Sequence, residues 1–252
     1  FYTTGASNTY LGFKAGFGAA GAESENVAIG KDSLFDITSA SGVTAVGVES
    51  AYNITSGGES VAIGKQALYT ATTVGGNTAV GYQALKANTV AGGTAVGHSA
   101  LILSTGAGNT AVGYQSLKTI STGASCTAIG YEAGALVTGG LNTIIGYQAA
   151  DVLASGTSNT VIGARAFGAA DGSETNSVVI GTDAGSSINH DSTDGNVIIG
   201  HDAGTGGGAQ LIQNVVIGRN ALNSTGNNAT TGIVAIGYSA LTAQTTGTAN
   251  TA

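Results

Sequence analysis

The chain has no proline, no methionine and no tryptophan, a single cysteine, and only 8% charged residues. Each shortage excludes something. One cysteine excludes a disulfide framework and a cysteine-built metal site. Cys126 stands where other stretches of the chain carry Asn or Ser, and reads as a tolerated small residue. Charge far below the roughly 25% usual for globular domains leaves no basic patch. Seven Lys and Arg against fourteen Asp and Glu give a net charge of −7, spread thinly, which argues against nucleic-acid binding. Disordered chains combine high charge with low hydrophobicity, whereas 42% of this chain is hydrophobic. No apolar run approaches the roughly 18 residues that span a membrane, and no signal peptide is visible.

What the chain has is glycine, 43 of them, and a repeat. The phrase Asn77-Thr78-Ala79-Val80-Gly81-Tyr82-Gln83-Ala84-Leu85 returns as Asn109-Thr110-Ala111-Val112-Gly113-Tyr114-Gln115-Ser116-Leu117. With its glycine as position 0, the repeat recurs at Gly12, Gly30, Gly47, Gly64, Gly81, Gly97, Gly113, Gly130, Gly146, Gly163, Gly181, Gly200, Gly218 and Gly237. The spacing is 16 to 19 residues throughout, and residues 1–252 read as one repeat array. Both ends fall inside repeats, so a longer chain is expected. Length alone would mislead a domain count here.

Position −1 is always Val, Ile or Leu, as in Ile63, Val80 and Val112, and position −3 is always Thr or Val. Side chains alternate across a strand, so these two ranks share a face. β-Branched residues suit that setting, and glycine every 17 residues or so disfavours a helix. Position −2 points the other way and holds Ala in eight copies, among them Ala62, Ala79 and Ala111, with a larger block from Ile144 to Val216. The strand is thus apolar on both faces, the pattern of a strand buried twice. The expectation is an all-β, parallel β-solenoid (a β-roll) of about 14 coils, with −1 and −3 filling the coil and the Ala rank meeting another copy. Charges placed at Ala79 and Ala111 should then abolish assembly. Position +2 is a polar rank, +3 is Ala or Ser, and +4 is often Leu, such as Leu85 and Leu117. The +3 and +4 residues are expected to plug the core. Ser, Thr and Gly fill the rest as turns. Asn recurs at −4, from Asn8 to Asn214, and identical residues on coils about 4.8 Å apart suit stacked amides. Fourteen coils at that spacing make a rod of about 65 Å, in which each coil leans on its neighbours.

Ser60-Val61-Ala62-Ile63-Gly64, Asn26-Val27-Ala28-Ile29-Gly30 and Val234-Ala235-Ile236-Gly237 resemble the head repeat of YadA-like trimeric autotransporter adhesins. The longer Asn-Thr-Ala-Val-Gly-Tyr-Gln-Ala-Leu phrase resembles phage tail-fibre repeats and related bacterial proteins. The autotransporter repeat is shorter, near fourteen residues. The resemblance implies an extracellular parallel homotrimer, side by side, that carries a receptor- or glycan-binding tip lying outside these residues. On a phage the place is the virion tail fibre; on a bacterium, the cell surface.

Catalytic chemistry finds little to stand on. The three histidines, His98, His190 and His201, have no Cys or Ser partners at the spacing of a nucleophile motif. His98 and His201 fall at +1, where Tyr is commonest, and read as surface stack positions. Asp183 and Asp202 share the +2 rank on neighbouring coils, a weak candidate pair for a cation such as calcium, with Arg165 one coil below to offset Asp183. Gly206-Gly207-Gly208 reads as a loop, since no helix or lysine follows it to cradle phosphate. No cofactor is expected, and the structural residues to watch are Gly64, Gly81, Gly113, the Val/Ile rank and the Ala rank. Three competing readings stand beside the shaft. A polysaccharide depolymerase needs a cleft with paired carboxylates. An ice-binding solenoid needs an exposed Thr array, whereas here Thr alternates with Val, as for a buried rank. A surface-layer or biofilm matrix protein shares the shaft's signature.

Overall fold

A computed structural model describes residues 7–19, 21–190, 193–206, 210–224, 229–242 and 250–252. It is a parallel β-solenoid of about 13 turns, without helix among the described residues. The chain divides into two compact units, Phe1–Ala124 and Ser125–Ala252. In the first, the three-residue strands Thr9–Leu11, Val27–Ile29, Thr44–Val46, Val61–Ile63, Thr78–Val80, Thr94–Val96 and Thr110–Val112 pair in parallel, each with the next. In the second, Thr127–Ile129, Thr143–Ile145, Thr160–Ile162, Val178–Ile180, Val197–Ile199, Val215–Ile217 and Val234–Ile236 do the same. Register never slips: Ala62 pairs with Ala79, and Ala79 with Ala95. Short secondary ladders add Ala87–Asn88 to Leu103–Ser104 and Leu211–Ile212 to Thr230–Thr231.

Each coil turns at the same four places. Positions −5, +2 and +4 lie in the left-handed region in every copy, for example Glu59 (φ 53°), Gln66 (φ 59°) and Leu68 (φ 53°). A left-handed conformation costs a non-glycine residue about 1–2 kcal/mol. At +4 that cost is outweighed by burial. Leu34, Leu68, Leu85, Leu101 and Leu117 are wholly buried, and burying a leucine contributes about 1.5–3 kcal/mol. The repeat glycine is the fourth place. At Gly81, φ is +136°, and a Cβ would lie 2.4 Å from the Gly97 carbonyl oxygen on the next coil. Coils stack too closely there for any side chain.

The core assignment of the strand ranks is the reverse of the expectation. Ala62, Ala79 and Ala111 at −2 are fully buried inside the coil, and so are Ile144, Val161, Val179, Ile198 and Val216. Positions −3 and −1 point outward. The reason is space. A coil of 16 to 19 residues encloses a thin core already shared by the +4 residue, and most coils with Leu at +4 carry Ala at −2. The bulkiest −2 residues of the outer coils stand against glycine: a Cβ on Gly16 would lie 2.5 Å from the Tyr10 ring, and one on Gly204 would lie 3.0 Å from Ile198. The exchange is not general, since Val161 shares its coil with Phe167 and Val216 with Leu222, all four fully buried. The +3 residues Ala67, Ala84 and Ala100 are buried as expected.

The −4 asparagines line the same core. Asn142 and Asn159 stack directly, with Asn159 Nδ2 donating to Asn142 Oδ1 at 3.2 Å, and Asn214 repeats this on Asn196 at 3.1 Å. Their second task is to tie the loop closed: Asn109 Nδ2 donates at 2.8 Å to the carbonyls of both Gly106 and Gly123. Cys126 takes this place in its coil and is buried, accepting from the Asn142 amide at 3.4 Å. Burial pushes its thiol pKa up, as suits an inert packing residue.

Candidate interaction face

The outward side of the strands carries exposed and half-exposed apolar residues in both units. Alternation places −3, −1 and +1 on it. Ile63 is 39% exposed and Ile129 41%, while Val46, Val80 and Val112 are half-buried. In each unit the face is seven strands tall, about 34 Å, and about 10 Å wide over three residues. That makes on the order of 300 Å² of β-branched surface in each unit, the size of the largest apolar patch on a typical monomer, which is often functional. No in-chain element covers it among the described residues.

The Thr members of the −3 rank, Thr78, Thr94 and Thr110, face outward too. The burial expected of them is therefore not found. Their hydroxyl array is interrupted by Val27 and Val61 in the first unit; in the second it runs through Thr127, Thr143 and Thr160 and then gives way to Val178, Val197, Val215 and Val234.

Ladders run beside this face, in the segment that follows each strand. At +1, His98 stacks between Tyr82 and Tyr114 with ring centroids 4.8 and 5.2 Å apart, and Tyr131 stacks on Tyr147 at 5.4 Å. His98 is thus an exposed stack position, as read from the sequence. At +2, Gln83 donates to Gln66 at 2.8 Å and Gln66 to Glu49 at 2.7 Å. A second aromatic ladder went unread: Phe17, Phe35, Tyr52 and Tyr69, all at +5, stack at 4.8 to 5.2 Å. Its signal was available, since four successive copies carry a ring at that position.

The acidic pair lies on the second unit. Asp183, His201 and Asp202 bring one ligand atom each within 4.8 Å of one another. Asp183 is already engaged. Arg165 Nε and Nη2 each approach one of its oxygens at 2.7 Å, and this pairing raises the arginine pKa. His201 Nδ1 lies 2.7 Å from Asp202 Oδ2. A cation at Asp183 would have to displace a bidentate guanidinium, so the arrangement is that of an ion-paired ladder. The offset of Asp183 by Arg165 is as expected. Beside it lies an open polar groove of about 290 Å³ lined by Gln148, Asp151, Arg165, Gly168, Asp183 and Ser186. Burial, with Glu132 nearby, raises the Asp151 pKa. Of the triple-glycine stretch, Gly207 and Gly208 lie outside the described residues.

Two buried acids were also missed. Glu23 and Glu174 are fully buried at −7, where other coils carry Gly, Thr or an apolar residue. Each closes a bend by accepting the amide of a glycine two residues earlier, Gly21 at 2.8 Å and Gly172 at 3.1 Å. In each, Oε1 has no hydrogen-bond partner. Both belong to 18-residue coils.

The chain matches no protein-family model, no curated protein and no solved structure.

Proposed function

We propose that this chain is the shaft of a multi-chain extracellular fibre, an adhesin stalk or phage tail fibre, built as a parallel homotrimer and holding a receptor-binding tip away from the particle or cell. The observation that carries this reading is the outward apolar face. A rank of Val and Ile half open to water in every coil is costly to leave wet, at about 25 cal/mol per Å². A second copy presents the same pitch and the same residues, so it fits this face along its whole height. Thin coils that lean on neighbours above and below gain a third neighbour in this way. The polar groove at Arg165 and Asp183 has its charges paired with one another, and the reading assigns it no catalytic role. The receptor or glycan contact belongs to a region beyond this array.

Sedimentation equilibrium or native mass spectrometry tests the reading. The expected mass is three times the 24.2 kDa chain. A monodisperse folded monomer at micromolar concentration overturns it. The outward threonines favour a second reading, ice binding, but Val in six of the fourteen copies breaks the hydroxyl array. Thermal hysteresis measured on the same sample decides between the two, and the shaft reading expects none.

A further inference from the structure

The chain is poor in the side chains that oxidants consume first. It has no methionine and no tryptophan, and its one cysteine, Cys126, is buried. Burial raises that thiol's pKa and keeps it unreactive. Nine tyrosines remain. The ladders bring four of them together as two pairs of neighbours. Tyr52 and Tyr69 stack at +5 in the first unit, with centroids 5.2 Å and planes 22° apart. Tyr131 and Tyr147 stack at +1 in the second, at 5.4 Å and 16°. Tyr82 and Tyr114 are instead held apart by the His98 ring between them.

Stacking by itself needs no hydroxyl, since Phe17 and Phe35 stack in the same +5 ladder at 5.0 Å. Both tyrosine pairs are open to solvent. Tyr131 is 44% exposed and Tyr147 49%. Tyr52 and Tyr69 are half-buried, at a rank that lies off the outward strand face. Tyr52 also sits among carboxylates. Burial raises its pKa, and Asp36, Tyr69, Asp32 and Glu49 add to the rise. The phenol therefore stays neutral. A neutral phenol that loses an electron sheds its proton at once, and neighbouring carboxylates are bases placed to receive it. A radical formed on either ring then has its coupling partner one coil away, about 4.8 Å along the stack.

We propose that Tyr52–Tyr69 and Tyr131–Tyr147 are sites of oxidative modification, at which hydrogen peroxide and a haem peroxidase join neighbouring coils through a carbon–carbon bond. Each phenol gives up one electron and one proton, and the peroxide takes both sets to become two molecules of water. The two phenoxyl radicals combine at ring carbons ortho to their oxygens. Each joined carbon then passes its hydrogen, as a proton, to its own ring's oxygen, which restores two phenols on a biaryl. The chain ends two hydrogens lighter. The rings turn partly out of the stack to bond, a motion their exposure permits. The bond spans the 17 residues from Tyr52 to Tyr69 or the 16 from Tyr131 to Tyr147. It constrains the unfolded chain as a disulfide would, in a chain whose single cysteine can form none within itself. One chain suffices for it, so it stands apart from self-association.

Peptide mapping reads this directly. The folded protein is treated with hydrogen peroxide and a haem peroxidase, denatured, run on a gel and digested. Cleavage after Lys65 separates Tyr52 from Tyr69, and cleavage after Glu132 separates Tyr131 from Tyr147. Tyr114 falls one repeat before Tyr131, so the +1 pair is read in a Tyr114→Phe background. The expected result is dityrosine fluorescence in the band of a single chain, with the peptides of each pair joined and two hydrogens lighter than their sum. Tyr69→Phe removes the first joined pair and leaves the second. His98→Tyr completes the row between Tyr82 and Tyr114 and adds a joined peptide that carries Tyr82. Oxidation raises the urea midpoint of the parent and leaves that of Tyr69→Phe/Tyr131→Phe unchanged. Links between Tyr82 and Tyr114 as frequent as those within the pairs overturn the proposal. So do links confined to bands of more than one chain, or no link under conditions that couple free tyrosine. Circular dichroism before oxidation checks that each variant keeps its β signal.

Discussion

Replacing Gly81 with alanine tests the stacking of the coils at its tightest point. The new methyl would stand 2.4 Å from the Gly97 carbonyl oxygen and 2.7 Å from its carbon. Even weak C–H···O contacts stop near 3.3 Å, so the coils must part by about 1 Å. The bonds beside the contact, Gly97 N to Val80 O and Ser99 N to Tyr82 O, are both 2.8 Å and would stretch past hydrogen-bond range. Each costs about 1 kcal/mol. A φ of +136° imposes a further penalty of about 1–3 kcal/mol on alanine, and the expected total is about 3–5 kcal/mol. Gly76→Ala is the control. Its φ is +69° and nothing lies within 4 Å of the added Cβ, so only the left-handed backbone acts against it, about 1 kcal/mol. Urea unfolding supplies the difference between the two variants. Because coils couple mainly to their neighbours, hydrogen exchange at Gly97 and Ser99 should rise in Gly81→Ala before distant coils respond. Equal destabilisation by the two substitutions would refute the stacking argument.

Charges on the outward rank should separate assembly from folding: Val80→Glu with Val112→Glu keeps the β signal but loses the oligomer, since an unpaired buried charge costs about 3–5 kcal/mol, more than a hundredfold in Kd. Ala79→Glu with Ala111→Glu strikes the coil interior instead and should unfold those coils, visible as lost circular dichroism at any protein concentration. Burial raises the Glu174 pKa, so its folded form favours the proton. Its stabilising contribution is fully present below the ordinary carboxyl range and is lost as pH rises through the raised value. Glu174→Gln should therefore gain stability at about pH 7 relative to the parent and little at about pH 4, and a parallel pH profile for the two proteins would refute this. Ile198→Ala should cost about 2–4 kcal/mol through the cavity it leaves, and adding Gly204→Leu should recover part of that in a thermal melt, whereas additive losses would show that the two sites do not share space.

Much of this fold was legible because a solenoid repeats its evidence. Fourteen copies of one glycine, all but Gly12 after a β-branched residue, leave little choice but stacked strands, and Leu at +4 beside Ala or Ser at +3 declared the plug of the core. The side of the strand was not legible from hydrophobicity, since Ala62 and Ile63 are both apolar. A partial signal lay in volume exchange between ranks. Tyr10 comes with Gly16, Val179 with Gly185 and Ile198 with Gly204, while Ala62, Ala79 and Ala111 come with Leu68, Leu85 and Leu117. Val161 with Phe167 and Val216 with Leu222 break that exchange, and it is their burial that places −2 beside +4. Glu23 and Glu174 stayed hidden for another reason: a lone acid in a loop looks solvated, and only the closed bend at Gly21 or Gly172 shows it to be buried.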